Sequence, residues 1–69
     1  MKTGIYQHYK GPLYEVLGQA KQTETLEDLV VYKALYGNYE LWVRPKAMFE
    51  ETVHYEGKTQ ARFKYLEKA

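Results

Sequence analysis

The run Leu29-Val30-Val31-Tyr32-Lys33-Ala34-Leu35-Tyr36, then Gly37-Asn38, then Tyr39-Glu40-Leu41-Trp42-Val43-Arg44, narrows the fold more than any other part of this chain. β-Branched and aromatic side chains crowd both halves, and such side chains suit a pleated, half-buried surface. A Gly-Asn pair between two runs of this kind signals a hairpin with a two-residue loop, because both residues tolerate positive φ. One argument favours a helix nearby: Thr25 and Asp28 have the shape of a capping box, and Leu26, Leu29 and Val30 fall at helical spacing. The β-rich composition of 29–36 outweighs it, and residues 21–28 read as a polar turn.

That turn predicts a register. With Gly37 and Asn38 as the loop, Tyr36 faces Tyr39, Ala34 faces Leu41 and Tyr32 faces Val43. This set is apolar apart from tyrosine hydroxyls and is expected to face the core. The alternate pairs, Leu35–Glu40, Lys33–Trp42 and Val31–Arg44, mix charge with apolar groups and are expected to face outward. A slip of one residue exchanges the two faces.

The rest of the chain follows the same pattern. Gly4 to Lys10 alternates, with Ile5 and Tyr9 against Tyr6, His8 and Lys10, until Lys10-Gly11-Pro12 breaks the run. Leu13 to Ala20 sets Tyr14, Val16, Gly18 and Ala20 on one parity and Glu15 and Gln19 on the other, a half-buried strand. Arg44-Pro45 ends the hairpin, since a residue before proline is held extended. Pro45 to Glu51 reads as one helical turn carrying Met48 and Phe49 as plugs. Thr52 to Tyr55 is a short strand, Glu56-Gly57-Lys58 a turn, and Ala61 to Leu66 a last strand.

At 69 residues the chain makes one domain, residues 1–69. A core this small supplies little stability, and such chains often add disulfides or a metal. There is no cysteine, which excludes disulfides and thiolate zinc sites. His8 and His54 do not have metal-ligand spacing, and no cofactor is expected. Packing must carry the fold, and the eight tyrosines fit a thin core whose walls lie near water. The expected fold class is all-β: a small five-stranded, mostly antiparallel SH3-like barrel with one short helical turn. The N-terminal residues lack the apolar run of a signal peptide, no apolar run is long enough for a membrane span, and a cytoplasmic location is expected.

The chain resembles a known bacterial family, domain of unknown function 1653. The resemblance rests on Tyr6-Gln7-His8-Tyr9-Lys10-Gly11, Leu13-Tyr14-Glu15-Val16-Leu17, Glu24-Thr25, Leu29-Val30-Val31-Tyr32 and Ala34-Leu35-Tyr36-Gly37. It continues through Leu41-Trp42-Val43-Arg44-Pro45, Met48-Phe49 and Arg62-Phe63-Lys64-Tyr65-Leu66, and so spans nearly the whole chain. It implies a small SH3-like barrel and no particular activity. Members of the family read His-Ser-Glu-Thr where this chain has Gln22-Thr23-Glu24-Thr25, so no role of that histidine or serine carries over.

Candidate functional residues are few. Trp42 beside Lys33 and Arg44 combines an amphipathic ring with cations, and tryptophan and arginine are enriched among interface anchors. His8, Lys10 and Arg44 form an anion-binding group if the first strand neighbours the hairpin, although Lys10-Gly11-Pro12 is a poor phosphate loop. Nucleophilic catalysis needs a serine or cysteine beside an oriented base, and neither residue occurs. The expectation is a non-catalytic module binding a protein or peptide through the Trp42 face. The rival reading is a nucleic-acid-binding barrel using Lys10, Lys33, Arg44, Arg62 and Lys64 with aromatic stacking. Ten basic against nine acidic residues give no cationic excess in its favour.

Overall fold

Seven strands and one helical turn account for most of the chain in the computed structural model, which describes Met1–Ala69. In chain order they are β1 (Gly4–His8), β2 (Leu13–Lys21), β3 (Asp28–Ala34), β4 (Leu41–Pro45), α1 (Lys46–Phe49), β5 (Thr52–Tyr55), β6 (Lys58–Ala61) and β7 (Phe63–Glu67). Five strands form one antiparallel sheet in the order β4-β3-β2-β1-β7, and β5 and β6 pair separately. The all-β expectation and the single helical turn hold. The sheet stays open, however, with β4 and β7 as its edges, where the expected barrel would have been closed. One strand was not expected: Lys58–Ala61 turns back on β5 across Glu56-Gly57, and the predicted last strand begins at Phe63 rather than Ala61.

Bulges give the open sheet its curl, since an extra residue on one strand increases local twist. One falls at Leu17, where β2 shifts against β3 between Val16 and Gly18. Another shifts β1 against β7 between Ile5 and Tyr6. The curl brings the inner faces of the two edges together, so that the guanidinium of Arg44 on β4 lies 5.7 Å from the ring centre of Phe63 on β7. Gly4 is needed where β1 crosses the end of β7: its φ is +137°, and a Cβ there would come 2.5 Å from the Glu67 carbonyl oxygen.

The core lies in this concavity and is built from Tyr6, Val16, Val30, Tyr32, Phe49 and Phe63, with Tyr14 and Tyr65 packed against it. Proline cannot continue the β4 ladder, and Pro45 in extended geometry hands the chain to α1. The single turn drops Phe49 flat onto Phe63, with ring centres 4.1 Å apart and an interplanar angle of 2°. Tyr6 and Tyr32 close on Phe49 edge-on, each at 5.5 Å. Met48, expected as a second plug, is 46% exposed, because neighbouring positions on one helical turn cannot face the same way.

Tyrosine parity is corrected on β1. Tyr6 was expected on the polar side with His8 and Lys10, yet it is buried, while Ile5 is half-buried. Its hydroxyl escapes the core by donating to the Lys2 carbonyl at 2.7 Å, which satisfies the one polar atom that burial would have stranded. Tyr14 and Tyr32 point inward as expected, whereas Tyr39 is 60% exposed.

Candidate functional site

The hairpin turn forms where predicted, and its register does not. The Tyr39 amide donates to the Tyr36 carbonyl at 3.1 Å, closing a turn over Gly37 and Asn38 with Gly37 at φ 58°. Leu35 is then left over on the β3 side. Its amide leaves the hairpin and donates to the Leu13 carbonyl on β2 at 3.0 Å, while the Ala34 amide bonds Glu40. One unbalanced residue slips the ladder by one, giving Tyr32↔Trp42, Val31↔Val43 and Lys33↔Leu41.

The slip turns β4 over. Leu41 and Val43 move to the outer face, where they are 64% and 60% exposed. Trp42 moves to the inner face opposite Tyr32, with Arg44 two residues on along the same face. Trp42 is still 49% exposed, because it stands at the sheet edge where the core ends. Lys33 keeps its outward parity and therefore parts company with Trp42; its Nζ lies 3.8 Å from a Glu15 carboxylate oxygen on β2. The trio expected on one outer face is thus a Trp42–Arg44 pair inside and a separate Lys33 outside.

What replaces the trio is an aromatic groove along the β4 side of the concavity. The rings of Tyr14 and Tyr32 meet edge-on at 5.4 Å, and Tyr36 from the turn meets Tyr14 at 5.5 Å. The hydroxyls of Tyr14 and Tyr36 share a hydrogen bond of 2.8 Å. With Trp42 and Arg44 these tyrosines line a shallow cavity of about 210 Å³. Tyr36 was expected on the inner face with Tyr14, and it meets Tyr14 there; the hydrogen bond between them escaped sequence reasoning.

Arg44 sets the electrostatics. Its Nε donates to the Tyr32 hydroxyl at 3.4 Å, its plane lies near the Phe63 ring, and it has no ion pair within the chain. Beyond it lies His8, edge-on to Phe63 at 5.0 Å, whose Nδ1 accepts the Lys10 amide at 3.2 Å. Burial, then the charges of Arg44, Arg62 and Lys10, push the His8 imidazolium to lower pH. His8 is therefore neutral at pH 7, with its proton on Nε2. Tyr14 is shifted the other way: burial and the bond to Tyr36 push its phenol up to about 12. The sheet's curl brings His8 near Arg44, as the anion-site expectation required, but Lys10 turns away over the Tyr9 ring at 5.8 Å.

The remaining cations are scattered. Arg62 is held by Glu51 at 2.7 Å, and Lys64 lies in register with Gln7 at the far edge. No cluster of His, Asp and Glu is arranged to hold a metal ion. A hydroxyl–imidazole contact does exist, His54 to Thr59 at 3.3 Å, but it is exposed on the β5–β6 hairpin. The largest concavity, about 520 Å³, lies where Lys2 and Gly4 meet Tyr65 and Lys68, away from the groove. No helix is long and apolar enough to cross a membrane.

Comparison with known proteins agrees with this architecture. Residues 4–65 match the family described as "Protein of unknown function (DUF1653)". A crystal structure of a protein belonging to DUF1653 from Bordetella bronchiseptica superposes with a TM-score of 0.92 at 37% identity, covering 100% of this chain and 91% of that one. No curated protein matches the chain.

Proposed function

This chain belongs to the DUF1653 family, and on that footing we propose that it is a non-catalytic module whose Trp42 groove binds an extended segment of a partner protein. The observation that carries the reading is a half-exposed tryptophan set among three tyrosines and an arginine that has no acid of its own. Aromatic-lined grooves accept extended peptides because rigid rings offer contact area at little entropic cost. The walls alone would also suit an alkylammonium group. Arg44 disfavours that ligand by like charge and favours an apolar side chain followed by a carboxylate or carbonyl acceptor.

The test is selection from a displayed peptide library. Enrichment of peptides pairing an apolar or proline residue with an acidic one supports the reading, provided that Trp42→Ala and Arg44→Gln each abolish it. Lys33→Ala should leave it intact, because Lys33 lies on the opposite face. If the chain enriches no peptides but binds oligonucleotides with an affinity that falls steeply with salt, phosphate contacts are at work and the nucleic-acid reading replaces this one.

A further inference from the structure

β4 is an edge strand, and open backbone groups on an edge are a template for another strand. The Ala34–Glu40 hydrogen bond sets the phase of the β3–β4 ladder. Antiparallel pairs alternate between bonded and non-bonded, so Tyr32↔Trp42 and Val30↔Arg44 are the bonded pairs that follow. The amides and carbonyls of Leu41 and Val43 therefore point away from the sheet. Neither residue takes part in a backbone bond outside the strand ladders or in any side-chain hydrogen bond. The open stretch is short, because Pro45 has no amide to offer and Tyr39 leaves the strand at φ 52°.

We propose that this edge pairs with the same edge of a second copy of the chain, antiparallel and centred on Trp42. Only residues whose backbone groups point outward can bond across the new seam. Centring on Val43 would set Leu41 against Pro45, which cannot donate. Centring on Leu41 would set Val43 against Tyr39, whose backbone has already turned away. Centring on Trp42 sets Leu41 against Val43 of the second copy, and every outward amide and carbonyl of both residues finds a partner.

The side chains agree with that register. It places Glu40 directly opposite Arg44 of the second copy on the inner face, and the two-fold axis repeats the pair. Neither residue has an ion-pair partner within its own chain. On the outer face Leu41 and Val43, the exposed apolar residues of β4, close on each other's counterparts. Such a contact is isologous and closes on itself, so assembly stops at the dimer. The two Trp42 rings meet at the axis and join the two grooves into one. The dimer follows from the backbone edge and its charges. Because it gives Arg44 the Glu40 of the second copy, an acidic peptide in the groove would compete with that ion pair, whereas the backbone pairing stands whether or not the groove binds anything.

The absence of cysteine makes the register directly testable. Position 42 faces itself in a non-bonded pair, whose Cα separation of about 4.5 Å lies within disulfide range. Under mild oxidation Trp42→Cys is expected to form a covalent dimer. Leu41→Cys and Val43→Cys should each stay uncrosslinked alone and crosslink when mixed. In sedimentation equilibrium the wild-type chain should show twice its monomer mass. Glu40→Arg, at an exposed position, should lose the dimer while keeping the wild-type circular dichroism spectrum. A wild-type chain that sediments as a monomer at its highest soluble concentration overturns the proposal. So does a dimer that is indifferent to Glu40→Arg, or one in which Trp42→Cys fails to crosslink.

Discussion

The two edges of the sheet are finished in opposite ways. β7 carries Lys64 and Glu67 outward, has Lys68 just beyond, and is overlain by Lys2, whose Nζ stands 4.8 Å from the Tyr65 ring centre. Charges of this kind discourage a passing strand, because pairing would strip water from them. β4 has no charge between Glu40 and Arg44 and presents Leu41, Trp42 and Val43 to solvent. A fold with so few buried residues would gain stability by covering these three. The proposed pairing of β4 accounts for an edge left bare while the other is guarded.

The strongest challenge to this contrast is Phe49→Ala. Phe49 stacks on Phe63 of β7 and meets Tyr32 of β3, the neighbour of β4, edge-on, so it ties the β7 edge to the β3–β4 side of the sheet from inside. Its removal is expected to cost about 3–5 kcal/mol, read from urea unfolding. A loss near the surface-substitution range would mean that the edges stand independently.

Acid should act on the same seam less strongly. The His8 imidazole titrates below its ordinary 6.5 in the folded chain. Between 6.5 and that lowered value the unfolded chain holds the extra proton and the folded chain does not, so falling pH favours unfolding. Stability from this group is complete above pH 6.5 and is lost as the pH drops through the folded value. Urea midpoints against pH should show this fall, and His8→Gln should flatten it.

Tyr36→Phe tests the β4 side alone. It removes the bond to Tyr14 and should cost about 0.5–1.5 kcal/mol, at the lower end because the pair is exposed. The Tyr14 phenol should also ionise earlier than about 12 in an alkaline absorbance titration. In the wild-type chain the raised value contributes stability below pH 10 that is lost as the pH climbs through about 12. The smallest effect is expected from Val43→Lys, which should shift monomer stability by no more than about 0.5 kcal/mol. It gives β4 the finish of β7, and self-association should vanish with little else changed.

Much of the architecture was legible in the chain, for stated reasons. The strands expected over 13–20 and 29–36, found at Leu13–Lys21 and Asp28–Ala34, the Gly37-Asn38 turn and the proline-led helical turn all follow from local rules, because side-chain shape and allowed φ act over a few residues. The site was only half legible. Trp42 and Arg44 were picked out by type, but which face they occupy depended on Leu35, whose amide is claimed by Leu13 on another strand. No pattern within the hairpin announces that competition. Tyr6 was misplaced for a related reason: its place inside depends on a carbonyl at Lys2 that only the folded chain brings into reach. Local chemistry named the residues, and contacts between strands decided where they point.

The chain contains a single tryptophan, and it stands at the seam of the groove and the open edge. Its emission therefore reports on one spot of the molecule without any attached label. The surrounding tyrosines can pass excitation to it, and water can quench it from the exposed side. A blue shift with rising protein concentration would signal a second copy closing over the ring, whereas a shift only on adding peptide would signal an occupied groove. One spectrum, taken along two axes, separates the two events.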